Sequence, residues 1–592
     1  MLLHAPEARL VMLLRQCYRS PRCLSARRGD RLYSTIRILG TSGPRPRAGQ
    51  SSCKTGNSAR SLTSTTGGAP EHVAVLGGGI TGLVAAAMAA RLNPDTRVTV
   101  YESSDRLGGY IHSEVVQSSD GPVVFELGPR SLRPSTARGY HALSMAQNLG
   151  LEDNMVFTSK DSPAGSNRFI YYPDKLVRVP SPDDGRLQVF YKLLTDPLFE
   201  GVAGALWAES QVPRRPDNLV DESIGGFITR RIGGNKKLVD NIFSAVIHGI
   251  FAGDINQLSV RSLMPRLWEA EGRFGSLSMG MVRNKPEGYG PNGISDLHAT
   301  GEQILGQALG GKAREASIYT FMNGMQTLPD ALAGVIKGAR NADVRVGTSV
   351  SGISRSPDGK TIKIKTSNNQ PAQSYSHVIS TLPAHNLSHL VNIPALSLIP
   401  YTTVMVVNLY YTNPRLVPQP GFGYLIPQSV PFKQNPEFAL GVVFDSHATP
   451  HIDGAPGTKL TVMLGGHYWD GRSADELPTP EEGQRMAELV LARHLKITDK
   501  PDRVLATLHK NCIPQYTVGH KERLQSVDAG IRRMFGNRLS VGGAWVDGVG
   551  VNDCLFSGAF QGFSVGTGYT GLELALESKE KLRTIMPPGL IM

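Results

Sequence analysis

A chain of 592 residues, 40% hydrophobic and 19% charged, is long enough for two or three domains with a large core. Its formal net charge of +12 is concentrated at one end: residues 1–70 hold eleven Arg, one Lys, Glu7 and Asp30, a net of +10, which leaves 12 − 10 = +2 for the rest. That distribution excludes nucleic-acid binding as the reading of the folded body, and with no run of 18 or more apolar residues no transmembrane helix is expected.

The arm itself is Arg- and Ser-rich and poor in acids. Its start, MLLHAPEARLVMLLRQCYRS, can set Leu2, Leu3, Leu10, Leu13 and Leu14 against Arg9, Arg15 and Arg19 on a short amphipathic helix. This is the composition of a mitochondrial transit peptide; the alternative is a disordered tail with no address. Arg15 interrupts the apolar stretch and argues against a secretory signal. The folded protein is therefore expected to begin near Glu71. Of five cysteines three lie in the arm, and Cys512 and Cys554 alone form neither a disulfide framework nor a CxxC metal pattern.

VAVL (73–76) reads as a buried strand, the Ala-rich segment after it as a helix, and VTVYE (98–102) as a second strand, together a β-α-β unit with a parallel pair. Residues 180–310 carry helical patterns such as NKKLVDNIFSAVIHGIF and LMPRLWEAEGRF, broken by VPSPDDG and RNKPEGYGPNG. From about 344 strand patterns return (VRVGTSVSGI, HVIST, TVMVVNLYY, FALGVVFD, KLTVMLGGHYW) and predict an antiparallel sheet. A helix near 480–496 follows, then a terminal strand, glycine-rich loop and helix, with no internal repeat.

Gly77-Gly78-Gly79-Ile80-Thr81-Gly82 satisfies GxGxxG between a strand and a helix. Gly77 permits the turn, Gly79 lets backbone approach a pyrophosphate at the helix start, and Gly82 lets helix and strand pack closely. Glu102, twenty residues after Gly82, ends the next strand, where an acid accepts hydrogen bonds from a ribose. FAD and NAD share this fingerprint. Past the acid, Ser103, Arg106, the paired glycines 108–109 and Tyr110 resemble the flavin-binding extension of the amine oxidase-like superfamily. FELGPRSLRP (125–134), with Gly128, Pro129, Arg130 and Ser131, resembles that superfamily's loop under the flavin. The terminal segment, with Ala544, Val549, Gly550 and Val551, supplies a second helix N-terminus whose dipole favours negative charge on a reduced flavin. These pieces are over 400 residues apart, so the FAD domain must be discontinuous.

Closer strings, among them YESSDRLGGYIHS, SNRFIYY, HGIFAGD, RSLMPRLWEAE and LHKNCIPQYTVGH, resemble the protoporphyrinogen oxidases within that superfamily, over residues 71 to about 570. The resemblance implies an α/β (α+β) fold: a discontinuous Rossmann-like FAD-binding domain (71–165, 276–352, 535–592), a helical membrane-binding insertion (166–275) and an antiparallel-sheet substrate domain (353–534). It implies one non-covalent FAD, with Val350 among its contacts. It also implies six-electron oxidation of protoporphyrinogen IX by oxygen with release of hydrogen peroxide, the penultimate step of heme synthesis. The implied setting is the intermembrane-space side of the mitochondrial inner membrane, held peripherally, with a homodimer and a ferrochelatase contact as further partners. No catalytic triad or metal is expected, because the flavin carries the chemistry.

By the same resemblance Arg168 pairs with a substrate propionate, and Phe422, Leu425 and Met463 pack against the porphyrin rings. Gly249 leaves room for a ring. Without the resemblance these read as an edge-strand Arg, ordinary core, and a helix-end glycine. His385 and His389 read as surface or loop histidines and Cys512 as a partly buried thiol. The membrane expectation rests on Leu193, Leu194, Leu198 and Phe199. Two other readings stay open: an amine oxidase of the same fold, and an FAD-stabilised scaffold without turnover.

Overall fold

The computed structural model describes residues 71–578 except 182–183, 284–293 and 369, and also residues 581, 582 and 584. The arm and most of the RNKPEGYGPNG break lie outside the described residues. His72–Leu76 and Arg97–Tyr101 form the expected parallel pair, in register from His72 opposite Arg97 to Leu76 opposite Tyr101. Three further parallel strands complete the sheet, in the order Leu539–Val541, His377–Ser380, His72–Leu76, Arg97–Tyr101, Ala342–Arg345.

The helix Ile80–Leu92 lies between this sheet and the helix Val551–Phe563. Their contact is built from absent side chains. A Cβ on Gly558 would come within 2.5 Å of the Thr81 carbonyl oxygen, and one on Gly562 within 2.5 Å of Met88 Cβ and 2.7 Å of the Ala85 oxygen. Because both sets of contacts advance in the same sense, the two helices run parallel. Gly558, level with Thr81, is seven residues into its helix, so that helix starts about 9 Å beyond the first.

The second large sheet has seven strands in the order Arg503–Pro514, Tyr401–Tyr411, Thr458–Gly465, Ala439–Val443, Gly423–Leu425, Phe169–Tyr171, Leu176–Arg178. All neighbours are antiparallel except Gly423–Leu425 with Phe169–Tyr171. One face packs on the helix Pro480–Leu495 through Met405, Val407, Val462, Ala487 and Leu491, all 0% exposed. The helix Ser244–Phe251 covers part of the other face.

The helical insertion gathers around Ile224, Phe227, Ile247 and Trp268. Arg231, fully buried, reaches Glu209 at 2.6 Å and Glu271 at 3.6 Å, and Arg215 and Arg230 complete the charge balance on Glu271. A buried guanidinium is tolerated because carboxylates and the Val212, Pro213 and Glu209 carbonyls accept from both terminal nitrogens, though its Nε has no partner among the described residues.

The strands partition the chain differently from the expected boundaries. Phe169–Tyr171 and Leu176–Arg178, assigned to the insertion, belong to the seven-stranded sheet. HVIST, expected in the antiparallel sheet, lies centrally in the parallel one, and Val350–Arg355 joins a separate three-stranded sheet with Ile362–Thr366 and Gln373–Tyr375. Residues 377–380 are buried without alternation, as a strand covered on both faces must be. The helix His520–Phe535 likewise packs its Leu524, Val527 and Ile531 on the nucleotide-binding side, against Val378, Leu387 and Ile393.

Candidate active site

The glycines of the first turn do separate jobs. Gly77 has φ +101°, and a Cβ on Gly82 would sit 1.9 Å from the Gly77 carbonyl oxygen, so both are demanded by the protein's own backbone. Gly79 is different. It has φ −70° and ψ 174°, and a Cβ there would meet only Gly109 Cα, at 3.8 Å. Nothing in the chain requires that position to be bare; a phosphate at the helix N-terminus does. Ile80 and Thr81 open the helix as buried residues.

Glu102 ends its strand half-buried, with Oε2 accepting from Gly78 N–H at 2.7 Å. Its Oε1 accepts from Ser104 N and Oγ at 2.8 Å and Ser103 Oγ at 3.3 Å. Arg106 donates to the carbonyls of Leu107, Ile111 and Gly109, which ties down the turn carrying Tyr110. Tyr110 is 42% exposed and edge-on to His509 at 5.7 Å, and desolvation pushes its phenol up to about 12. Val350, near the edge of the three-stranded sheet, is partly buried.

The loop 128–131 follows a buried strand end. Glu126 accepts from Ser113 Oγ and Met325 N at 2.7 Å, and burial pushes its carboxyl up to about 7. A Cβ on Gly128 would lie 1.9 Å from the Tyr110 carbonyl oxygen, which locks this loop against the first. Pro129 and Ser131 are half-buried beside Arg130, which is 8% exposed and pairs at 2.9 Å with Asp445, the first residue of the short helix Asp445–Ala448 that follows the strand Ala439–Val443. Arg130 Nη2 is buried with no protein partner, an orphan donor that a cofactor or substrate oxygen would satisfy.

The terminal loop is pinned from the other domain. Tyr516 Oη donates to the Ala544 carbonyl at 2.5 Å and accepts from Gly548 N–H at 2.8 Å. Arg138 bonds Asp547 and Asp553, and Asp553 Oδ2 accepts Gly550 N–H at 3.2 Å. Val549 packs on the helical insertion, and Val551 is half-buried at the helix start. The observations that fit FAD are the open Cβ position at Gly79, the acid held beside that turn by Gly78, the orphan Arg130 donor and the second helix start beyond the first. When bound, FAD would supply a hydride acceptor, its phosphates taken by the Gly79 turn and an oxygen by Arg130 Nη2.

Of the expected substrate contacts, the fold brings Arg168 to Phe422, with the guanidinium 4.5 Å from the ring centroid. Arg168 also donates to Ala164 O and, at 3.2 Å, to Ser317 Oγ. Leu425 and Met463 both lie opposite Gly441 across adjacent strands, so the three share one face with a glycine between two apolar side chains. Gly249 is mid-helix rather than at a helix end, and the place its Cβ would take is filled by Leu425 Cδ2, 2.7 Å away, rather than left open.

His385 is half-buried in the short helix Ala384–Ser388, edge-on to Tyr401; His389 is exposed. Among the described residues no group of three His, Cys, Asp or Glu could hold a metal. Cys512 is partly buried, donates to Thr402 O at 3.5 Å and is pushed up to about 12 by desolvation, hence a thiol. Sequence reasoning missed Arg138, Tyr516 and the Asp445 partner of Arg130. Their sequence separations from their partners, 315 residues for Arg130 and Asp445, leave no local signal.

Residues 80–560 match the flavin-containing amine oxidoreductases, and the chain belongs to that family. It is an FAD-dependent oxidoreductase. Within the family it belongs with the protoporphyrinogen oxidases. It is 34% identical to the protoporphyrinogen oxidase of Schizosaccharomyces pombe over 82% of this chain and 96% of that one. To the human protoporphyrinogen oxidase it is 35% identical, over 83% and 98%. A solved structure from Exiguobacterium sp. 255-15, provisionally a protoporphyrinogen oxidase, shares the fold with a TM-score of 0.65 at 23% identity, covering 84% of this chain and 99% of that one.

Proposed function

We propose that this protein oxidises protoporphyrinogen IX to protoporphyrin IX in three two-electron steps, with oxygen as final acceptor and hydrogen peroxide as by-product. The observation that carries this reading is the Leu425–Gly441–Met463 row. Its outer Cα atoms lie about 9–10 Å apart across three strands, and the Leu425 side chain leans over Gly441, which makes an aliphatic surface that suits a flat apolar macrocycle. An amine substrate would call for an aromatic cage, and this row is aliphatic. Arg168, stacked on Phe422 beyond the row, suits a propionate. The test is anaerobic mixing. Bleaching of the flavin by protoporphyrinogen and not by diamines supports the reading; bleaching by amines selects an amine oxidase, and no bleaching selects a scaffold.

Arg168→Ala is expected to weaken protoporphyrin binding about tenfold or more, as for loss of a charge-assisted hydrogen bond, with FAD content unchanged. Equal loss of FAD would make Arg168 a structural residue.

Peripheral membrane attachment is part of the same proposal, with a revised surface. Leu198 and Phe199 are buried and Leu193 packs with them, so three of the four expected residues face inward. Support comes instead from Leu187, Phe190, Tyr191 and Leu194, 85%, 49%, 70% and 57% exposed at i, i+3, i+4 and i+7 of the helix Arg186–Thr195, and from Trp207 at 72%. Among the described residues no helix is long and apolar enough to span a bilayer. The triple change Leu187→Ser, Tyr191→Ser, Trp207→Ser should abolish sedimentation with vesicles and leave anaerobic flavin bleaching intact. Undiminished sedimentation would remove this face from the proposal. The mitochondrial address, homodimer and ferrochelatase contact rest on the arm's composition and the family alone.

A further inference from the structure

The helical insertion holds a cavity that shares no residue with the substrate row. It measures about 280 Å³, close to the ~300 Å³ at which small-molecule sites begin, and its charged lining is Arg214, Arg215, Arg261 and Asp217. The guanidinium carbon of Arg215 sits 3.6 Å from the centroid of the Trp268 ring. Its Nη1 donates to the Trp268 carbonyl at 2.7 Å and to Glu271 Oε2 at 3.0 Å. A Cβ on Gly272 would lie 2.9 Å from Nη2, so the helix Pro265–Phe274 is bare where the fork lies across it. Stacked on an indole and bonded along one edge, Arg215 is held in place before any ligand arrives.

The other edge of the fork is open. Both hydrogen bonds leave from Nη1, and Nε and Nη2 have no partner among the described residues. Arg261 likewise engages one nitrogen, Nη1, with Glu522 at 2.6 Å. Arg214 divides its two between the Gly272 carbonyl at 3.2 Å and Asp217 at 2.6 Å. Three cations against one carboxylate give the lining 3 − 1 = +2, since Glu271 and Glu522 hold Arg215 and Arg261 from outside it. Leu219, Val220 and Trp268 add an apolar lip, with Val220 64% exposed. Planar forks opening on one space, each able to span two oxygens, beside an apolar rim suit an oxyanion carried on an apolar body.

We propose that this cavity takes the phosphate of an anionic phospholipid headgroup, a discrete lipid site at the margin of the membrane face. The inference rests on the peripheral attachment proposed above. Trp207, on the helix Val202–Glu209, belongs to that face, and Arg214 follows it by seven residues, at most about 25 Å of extended chain. The actual path is shorter because the chain turns: Gln211 and Val212 N–H both donate to the Ala208 carbonyl, at 2.9 and 3.0 Å. Buried Arg231 then holds the Val212 and Pro213 carbonyls, which fixes the approach to Arg214. A phosphate free in solution offers the same oxygens; the exposed apolar lip and the adjoining face favour one anchored in a bilayer.

The test uses FAD-loaded protein and vesicles of phosphatidylcholine, alone or mixed with phosphatidylglycerol, at constant ionic strength. Wild type should sediment with the mixed vesicles about tenfold more tightly than with the neutral ones, as for a charge-assisted hydrogen bond gained. Arg215→Lys combined with Arg261→Lys keeps the charge and removes the planar forks, and it should lose most of that gain with FAD content unchanged. Arg261→Lys alone carries the same test, with a smaller loss in the same direction, should the double variant not fold. A wild type indifferent to phosphatidylglycerol, or lysine variants that keep the full gain as a diffuse charge would, overturns the lipid site alone. If those variants keep the gain yet no longer bind inorganic phosphate by calorimetry, the cavity belongs to a free anion and the lipid assignment falls. A wild type that sediments with neither vesicle overturns it together with the membrane reading.

Discussion

Gly79→Val protein should purify colourless, with FAD affinity reduced more than 100-fold, and yet unfold in denaturant close to wild-type apoprotein. The separation of those two outcomes is the point. At φ −70° and ψ 174° a β-branched residue is comfortable, and the nearest atom to a new Cβ is 3.8 Å away, so the fold has no quarrel with valine. The two methyl groups would instead project into the space at the helix N-terminus that a pyrophosphate must enter. Gly82→Val is the contrasting control: its Cβ would overlap the Gly77 carbonyl oxygen at 1.9 Å, and it should fail to accumulate as folded protein at all. A yellow, fully loaded Gly79→Val protein would remove the first turn from the cofactor site.

Arg130→Ala should cost about 3–5 kcal/mol in chemical unfolding, several times the effect of deleting a surface ion pair. The bridge to Asp445 is 2.9 Å long with both side chains under 10% exposed, and Thr461 Oγ1 is Asp445's other close partner, at 2.7 Å. Truncating the arginine leaves a carboxylate, 6% exposed, without its counter-charge. The same change frees the loop 128–131 from the helix Asp445–Ala448, so FAD affinity should fall as well. Arg130→Met combined with Asp445→Leu should recover most of the stability but not the cofactor, since the apolar pair restores packing and still lacks the Nη2 donor. If Arg130→Ala costs under about 1 kcal/mol, the bridge behaves as an exposed one and the two domains are joined by other contacts.

These two variants also mark how far the chain could be read by eye. Gly79 is legible because its reason is local: a strand, a tight turn and a helix within a dozen residues dictate where an anion sits. Glu102 is legible for the same reason, since a strand of known length, Arg97–Tyr101, carries it back to the Gly78 turn. HVIST misled because four consecutive buried residues look alike in any sheet, and only the partners on either side, His72–Leu76 and Leu539–Val541, make the strand parallel. Leu198 and Phe199 misled because an apolar residue on a short helix gives no sign of which side its neighbours occupy; the exposed face falls on Leu187 and Tyr191 instead.

By itself the sequence determined the nucleotide turn, the acid that follows it, the need for a chain that returns to the same cofactor after 400 residues, and a family resemblance that carried its chemistry. Those are short-range patterns, set by backbone conformation and residue spacing. The packing of distant elements alone settled that Arg130 meets Asp445, that Tyr516 holds the terminal loop and that Leu425 occupies the space beside Gly249. Each joins segments 28 to 315 residues apart in the chain. Such pairings depend on how whole elements pack, and no local preference along the chain encodes which side chains then share a dry interface.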